Sequence, residues 1–252
     1  MNKIILITGA TSGFGKAIAQ KFAAEKWNCI ITGRRENILH EVADELRNSF
    51  GVRVLSLVFD VSDKEQTLQQ LQSLPAEWQQ VDVLVNNAGL ALGRDPFDTA
   101  ALEDWDIMLD TNVKGVAYVT KAVLPAMIKQ GSGHIINIGS ISAKEVYVNG
   151  NMYCASKHAL DALSKGMRMD LVQHNIKVTA VHPGAAETEF SDVRFKGDTA
   201  KAKAVYTGFK PLGAADVADA VFYTTTVPPH VCINDIVITA TAQANSYITF
   251  KQ

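Results

Sequence analysis

Short apolar runs alternate along this chain with stretches of helical period. Ile4-Ile5-Leu6-Ile7 is fully apolar and mostly β-branched, the pattern of a buried parallel strand. Similar runs predict further strands at 29–32, 54–59, 83–86, 134–138, 177–182 and 235–239. Phe14, Ile18, Phe22 and Ala23 recur at helical spacing and predict a helix over 14–26. The same reading predicts helices over 37–49, 64–73, 103–129, 153–173 and 214–226. Ser62 and Glu65 have the spacing of a capping box at the start of the helix 64–73. Such alternation implies an α/β fold, a parallel sheet with helices on both faces. Residues 184–212 break the alternation. They begin just after Pro183, hold Gly184, Gly197, Gly208 and Pro211, and run on to Gly213, with a weakly helical middle from Asp192 to Val205. An insert at the carboxyl end of a strand often covers a ligand, so a lid-like segment is expected here.

Composition narrows the class. The chain has 252 residues, 47% of them apolar, enough for one full core and one domain over 1–252. A net charge of −2 gives no basic footprint for nucleic acid. No apolar run approaches the length of a membrane span. The first strand starts at Ile4, which leaves no room for a signal peptide, so the cytoplasm is the expected compartment. Cys29, Cys154 and Cys232 are too widely spaced for a disulfide framework, and the six histidines show no ligand spacing, so no metal is expected.

The candidate chemistry begins at Thr8-Gly9-Ala10-Thr11-Ser12-Gly13-Phe14-Gly15, between the first strand and the first helix. This is the context a dinucleotide fingerprint needs, and it makes the expected sheet a Rossmann-type, doubly wound one. Gly9 permits the sharp turn, Gly13 lets backbone approach a pyrophosphate, and Gly15 allows close packing. The helix N-terminus offers free N–H groups to the anion. A tight turn with no ligand would use the same glycines. The second strand ends in Gly33-Arg34-Arg35, where an NAD site usually carries an acid for the ribose 2′-hydroxyl. Arginines there favour NADP. They also stand as ordinary surface charges at a helix start, although that position opposes the helix dipole. Asp60 and Val61, after the third strand, are expected beside the adenine.

Tyr153 and Lys157 lie four residues apart and share a helix face. An ammonium near a phenol favours the phenolate and is expected to lower its pKa from about 10. Ser140, just past the fifth strand, can hold a carbonyl or alkoxide oxygen. Asn112, mid-helix by pattern, is unfavourable there by propensity and could hold a water that connects Lys157 to solvent. A tyrosine with a lysine four residues on is common on solvated helices. Its position downstream of a dinucleotide turn, with a serine between, is what gives it weight.

Taken together, the Thr8–Gly15 turn, Asn86-Asn87-Ala88-Gly89, Asn112, Ser140, Tyr153, Lys157 and Pro183-Gly184 resemble the short-chain dehydrogenase/reductase family nearly end to end. Within it the chain is more similar to the NADP-dependent 3-hydroxy acid (serine) dehydrogenases. Leu74-Pro75-Ala76-Glu77-Trp78, Gly89-Leu90-Ala91-Leu92-Gly93, the run Gly133 to Ser140, and Thr188-Glu189-Phe190-Ser191 with Val193 to Asp198 carry that likeness. The resemblance implies NADP as cofactor. It implies that Asn112, Ser140, Tyr153 and Lys157 are catalytic. It places Gly9, Thr11, Ser12, Gly13, Phe14, Gly15, Arg34, Arg35, Asp60, Val61, Asn87, Ala88, Gly89, Pro183 and Gly184 along the cofactor. Lys157 would also hold the nicotinamide ribose and Thr188 the carboxamide. The chain departs from the subgroup at Ile141 to Tyr147 and at Ala185-Ala186, both bordering the substrate.

The expected function is NADP-dependent hydride transfer to or from a small 3-hydroxy acid or its semialdehyde, with Tyr153 as proton donor. Ser140, Ser142, Tyr147 and Arg194 are the expected substrate contacts. Arg194 and Lys196 are expected to point the same general way, with Phe195 turned aside to anchor the loop. An arginine suits bidentate carboxylate capture. Alternatives are a reductase of another short aldehyde, such as a sulfonated one, or of a ketone. A non-catalytic NADP-sensing protein would be expected to lack the tyrosine, lysine or serine, and all three are present. Ala155, Ala159, Ala162 and Gly166 form a small-residue stripe on the helix 153–173. It serves either packing inside the subunit or the homo-oligomer, a dimer or homotetramer, that the family resemblance implies.

Overall fold

The computed structural model describes residues 2–252. Seven strands form one parallel sheet: β1 (Ile4–Ile7), β2 (Asn28–Gly33), β3 (Val54–Val58), β4 (Val83–Asn86), β5 (Gly133–Ile138), β6 (Ile176–Pro183) and β7 (Asp235–Ile238). Their order is β3-β2-β1-β4-β5-β6-β7. Strand order reverses between β1 and β4, and ligands of open α/β sheets bind beyond the carboxyl ends of strands at such a point.

Alternation along β1 shows why the sheet is covered twice. Ile5 and Ile7 enter one core with Phe22, Leu39 and Val221, while Ile4 and Leu6 enter another with Val119, Val123 and Met127. Successive strand side chains point to opposite faces, so a fully apolar strand needs a partner on each. The first face is covered by α1 (Gly13–Ala24), α2 (Glu36–Phe50) and, after the sixth strand, the helix Ala214–Thr226. On that face Phe22 packs edge-on against Trp27 and Phe222, at 5.1 and 5.2 Å between ring centroids. The second face is covered by α3 (Lys64–Gln72), α5 (Val116–Gln130) and α6 (Asn151–Leu171), while α4 (Leu102–Leu109) packs on α6 and sets Met108 in a smaller cluster with Leu90 and Tyr153.

Three sequence expectations are corrected. The helix expected over 103–129 is α4 and α5 joined by a π-helical turn, Asp110–Gly115. The wide turn carries the Asn112 amide inward to Leu90, and Gly115 sits where a Cβ would meet Val61 Cγ2 at 2.9 Å. The start of α3 is capped by Asp63, whose carboxylate accepts from Gln66 N–H at 2.9 Å, so Ser62 and Glu65 form no box. Ser62 instead donates its N–H and hydroxyl to Asp60. The helical middle of the insert is two pieces, α7 (Phe190–Arg194) and α8 (Thr199–Ala204). Lys196 and Gly197 separate them with φ of 52° and 89°, which ends any right-handed helix.

Candidate active site

A cavity of about 480 Å³ opens at the carboxyl edge of β1, β4, β5 and β6. Its floor begins at the glycine turn. Gly9 and Gly13 have φ of 67° and 52°, which glycine alone adopts without strain. Asn87 donates from its amide to the carbonyls of Thr8 and Gly9, at 2.9 and 3.0 Å. Thr8 Oγ1 accepts from the N–H groups of Asn87 and Ala88. A Cβ on Gly15 would collide with Gly9 O and the Asn87 amide, so that glycine closes the turn upon itself. Ser12, at the N-cap of α1, is extended and caps nothing with its side chain. The first amides of α1 therefore face the cavity uncapped, as an anion site requires. Thr11, Ser12, Gly13, Phe14, Asp60, Val61, Ala88, Gly89, Pro183, Gly184 and Thr188 all line it. A dinucleotide fits this surface by its backbone cradle and its open helix end.

Both arginines after β2 stand at the same rim. Arg35 donates to Thr11 Oγ1 and Ser12 Oγ, at 2.9 and 2.8 Å, and pairs with Glu189 at 2.9 Å. Arg34 pairs with Asp60 at 3.1 Å. Burial alone would raise the Asp60 pKa, but the Ser62 hydrogen bonds and Arg34 outweigh it and leave it lowered. Gly33 leaves room between them, since a Cβ there would lie 2.7 Å from Thr11 Cγ2.

The other end of the cavity holds the expected chemistry. Tyr153 and Lys157 on α6, and Ser140 after β5, are all buried and all line it. Lys157 Nζ donates to Ile138 O at 3.0 Å and lies 6.0 Å from the Tyr153 ring centroid. Burial pushes the Lys157 pKa down to about 8. The expectation that Lys157 draws the phenol below its ordinary pKa is not met. Burial raises the Tyr153 pKa, the neighbouring Tyr147 adds to this, and Ser140 and Arg194 offset only part. Tyr153 is thus a neutral phenol, and Lys157 a cation, at neutral pH. Ser140 Oγ donates to Ser142 Oγ at 3.0 Å and accepts from Ser142 N–H at 3.1 Å. Asn112 lies one layer deeper. Its oxygen accepts from Leu90 N–H at 2.9 Å, and its amide donates to Leu90 O and Ser156 Oγ, at 2.8 and 3.0 Å. It fastens the loop after β4 to α6. A Cβ on Gly89 would sit 3.1 Å from Asn112 Oδ1 and 3.5 Å from Lys157 Nζ, so Asn112 and Lys157 meet across that glycine.

Arg194 reaches this end from the insert. Its Nε donates to Gly93 O at 3.2 Å and its Nη2 to Tyr147 OH at 2.9 Å. The guanidinium lies 5.4 Å from the Tyr153 ring centroid. Lys196 does not join it. The positive φ at Lys196 turns the side chain away, and it pairs with Asp104 at 2.8 Å. Phe195 is not set aside either, since it also lines the cavity. Sequence reasoning missed Arg94, whose guanidinium stands 5.5 Å from the Tyr147 ring centroid within the cavity. It also missed Gln243 and Ser246, brought in by the carboxyl-terminal segment. Gln243 Oε1 accepts from Ala185 N–H at 2.8 Å, and Ser246 N–H donates to Glu145 at 2.8 Å. No motif spacing links these residues to the rest.

Comparison with known proteins agrees with this geometry. The short chain dehydrogenase family matches residues 3–198. NADP-dependent 3-hydroxy acid dehydrogenase YdfG of Shigella flexneri is 45% identical over 234 residues, covering 92% of this chain and 93% of that protein. Sulfoacetaldehyde reductase 2 of Chromohalobacter salexigens is 46% identical over 245 residues, covering 97% and 96%. Among solved structures, the closed form of serine dehydrogenase complexed with NADP+ superposes with a TM-score of 0.93 at 43% identity, covering 99% of each chain.

The buried lysine yields a stability test. Lys157 loses its proton near pH 8 in the folded chain and near 10.5 when unfolded. Between those values the unfolded chain binds more protons, so the contribution of this residue to stability rises with pH. Below pH 8 the burial cost, of order 3 kcal/mol, is fully present. Tyr153, with its pKa raised, stays neutral throughout that window. Lys157→Met is therefore expected to raise the melting temperature by several degrees near neutral pH, measured without added cofactor. The gain should shrink at about pH 10. A lower melting temperature for the variant at neutral pH contradicts the assignment.

Proposed function

This chain belongs to the short-chain dehydrogenase family, and on that footing we propose that it is an NADP-dependent oxidoreductase of a small 3-hydroxy acid or its semialdehyde. The observation that carries the substrate class is Arg194, a cation held inside the cavity over the phenol that moves the proton. The uncapped start of α1 would hold the pyrophosphate of NADP, and Arg34 and Arg35 its 2′-phosphate. Asp60 and Val61 would hold its adenine, Asn87 to Gly89 its ribose side, and Pro183, Gly184 and Thr188 its nicotinamide end. Bound there, the nicotinamide supplies or accepts the hydride.

The chain's own residues handle the proton and the charge. Tyr153, neutral at neutral pH, gives its phenolic proton to the oxygen of a carbonyl being reduced. Ser140 turns its hydroxyl proton from Ser142 Oγ to that oxygen, while the Ser142 N–H keeps its hold on Ser140 Oγ. The Lys157 ammonium stabilises the phenolate left behind. Asn112 keeps the loop after β4 and the helix of Tyr153 in register and opens a proton route past Gly89. Tyr147 and Arg194 take the carboxylate. Residues 184–212 serve as the lid over this end, hinged where Lys196, Gly197 and Gly208 have positive φ.

Further organisation follows from the same reading. Strands from Ile4 to Ile238 share one sheet, which supports one catalytic domain. Ala155 and Ala162 of the α6 stripe are exposed and no atom lies within 4 Å of a Cβ on Gly166. Ala159 and Gly166 are half-buried, so part of the stripe is left free, which supports a homo-oligomer, a dimer or tetramer, built through α6. Cys29, Cys154 and Cys232 are unpaired, which supports residence in the cytoplasm. Among the described residues no helix is long and apolar enough to cross a membrane.

A sulfonated short aldehyde is a second reading, favoured by Arg94. A three-oxygen anion can engage both Arg94 and Arg194, where a carboxylate needs only one.

Two measurements test these assignments. Changing Arg34 and Arg35 together to Ala should remove most of a roughly ten- to hundredfold preference for NADP over NAD, while sparing NAD use. A wild-type enzyme that turns over faster with NAD refutes the cofactor assignment. Arg194→Ala should raise KM for a 3-hydroxy acid by about tenfold or more and leave a neutral alcohol of similar size nearly unchanged. Equal losses on both would make Arg194 a support for the lid only. A wild-type preference for sulfonated over carboxylated aldehydes would favour the second reading.

A further inference from the structure

His182 is fully buried at the end of β6, directly beneath the Ser140 turn. Its Nδ1 lies 3.1 Å from Ser140 O. A carbonyl oxygen only accepts, so the proton of that bond belongs to Nδ1. The ring packs flush against Gly139, where any Cβ would collide with Nδ1. Nε2 has no hydrogen-bond partner and faces two carboxylates, Asp235 at 3.3 Å and Asp161 at 3.7 Å.

Three acid and imidazole groups this close suggest a cation site, and the cation is already present. Lys144 Nζ bridges the two carboxylates, at 3.0 Å from Asp161 and 2.9 Å from Asp235. Lys165 closes on the other oxygen of Asp161 at 2.8 Å. The cluster is therefore a closed ion-pair network and not an open metal site. It joins four elements: the turn after β5 through Lys144, α6 through Asp161, β6 through His182 and β7 through Asp235. Asp161 lies one helical turn beyond Lys157 on the same helix.

We propose that His182 is a positioning residue for Ser140: its Nδ1–H holds the Ser140 carbonyl, while the Lys144–Asp161–Asp235 network clamps the Ser140 turn against the helix of Tyr153 and Lys157. Burial lowers the His182 pKa; Asp235 works against this, and Lys144 adds to the lowering. The proton on Nδ1 is fixed by the hydrogen bond to Ser140 O. Ser140 is extended, with φ of −170°, and its Oγ has no rigid element of its own beyond Ser142. Fixing its carbonyl fixes the direction in which the hydroxyl leaves the sheet edge. This inference rests on the assignment of Ser140 as the residue that holds the reacting oxygen.

The test is a double-mutant cycle on kcat, in the full-length enzyme with NADPH and a short aldehyde. His182→Phe keeps a ring of similar size and removes the donor. His182→Asn restores a donor, because its amide nitrogen stands the same two bonds from Cβ as Nδ1. His182→Phe should lower kcat by about tenfold, as for one buried hydrogen bond lost, with NADPH affinity unchanged. His182→Asn should stay within about threefold of wild type on the same scale. In a Ser140→Ala background, His182→Phe should cost less than about twofold more, because a residue that acts only through Ser140 has nothing left to position. Should His182→Phe not fold, His182→Leu serves in the same cycle and is read in the same way. Equal losses for the Phe and Asn variants, or losses that multiply in the Ser140→Ala background, overturn the proposal. Unchanged turnover in Ser140→Ala alone overturns the assignment of Ser140, and this inference with it.

Discussion

A buried ammonium without a buried carboxylate is the constraint on which the rest of the site depends. Lys157 sits inside the protein with one protein hydrogen bond, to Ile138 O, and burial holds its pKa near 8. Most proteins neutralise such a charge or pair it. Here the neighbours are a phenol, a glycine and an asparagine already spent on Leu90. The cost is met by the surrounding packing, and it leaves a cation whose full effect is felt only by negative charge that appears beside it. In the proposed reaction, negative charge would appear there when Tyr153 gives up its proton. The same low-polarity setting that raises the Tyr153 pKa keeps the phenol protonated until then.

The elements around this pair fix it from several directions. Lys157 and Tyr153 share α6, the Ser140 turn leaves β5 beside them, and the π-helical turn brings Asn112 under α6 through Ser156. Deeper still, Asn86 donates to Asn137 at 2.9 Å and Asn137 to Ser164 at 2.9 Å, a polar ladder that pins β4, β5 and α6 inside an otherwise apolar core. Every amide donor of this ladder is satisfied, while Asn86 Oδ1 has no partner, and such directional contacts favour one arrangement. The two ends of the cavity then differ in charge source. Backbone amides and two rim arginines line one, and side-chain cations from the insert and the loop after β4 line the other.

The parallel sheet, the helices on both faces and the meeting of Tyr153, Lys157 and Ser140 in one cavity were legible because they rest on local signals: apolar period, glycine at a turn, and fixed spacing on one helix. What was not legible depends on contacts made at a distance. Asn112 read as an awkward residue within a helix, while its π-helical turn exists because Leu90, twenty-two positions away, offers both backbone groups to it. Phenol acidity was judged from one neighbour, and burial, which no local pattern reports, decided its direction. Arg194 was found because arginine in an insert is a chemical signal. Lys196 beside it was misplaced, because its left-handed φ cannot be read from a lysine. Gln243 and His182 gave no signal at all. Each acts through a residue more than forty positions away, on Ala185 and on Ser140.

The most direct measurement of the central claim is the turnover of Tyr153→Phe, beside its affinity for NADPH. The variant keeps the buried ring over which Arg194 stands and removes only the hydroxyl. Turnover is expected to fall by roughly two to four decades, the range of a lost general acid, with NADPH binding little changed. Near-normal turnover would take Tyr153 out of the reaction and leave the buried Lys157 without the purpose given to it here.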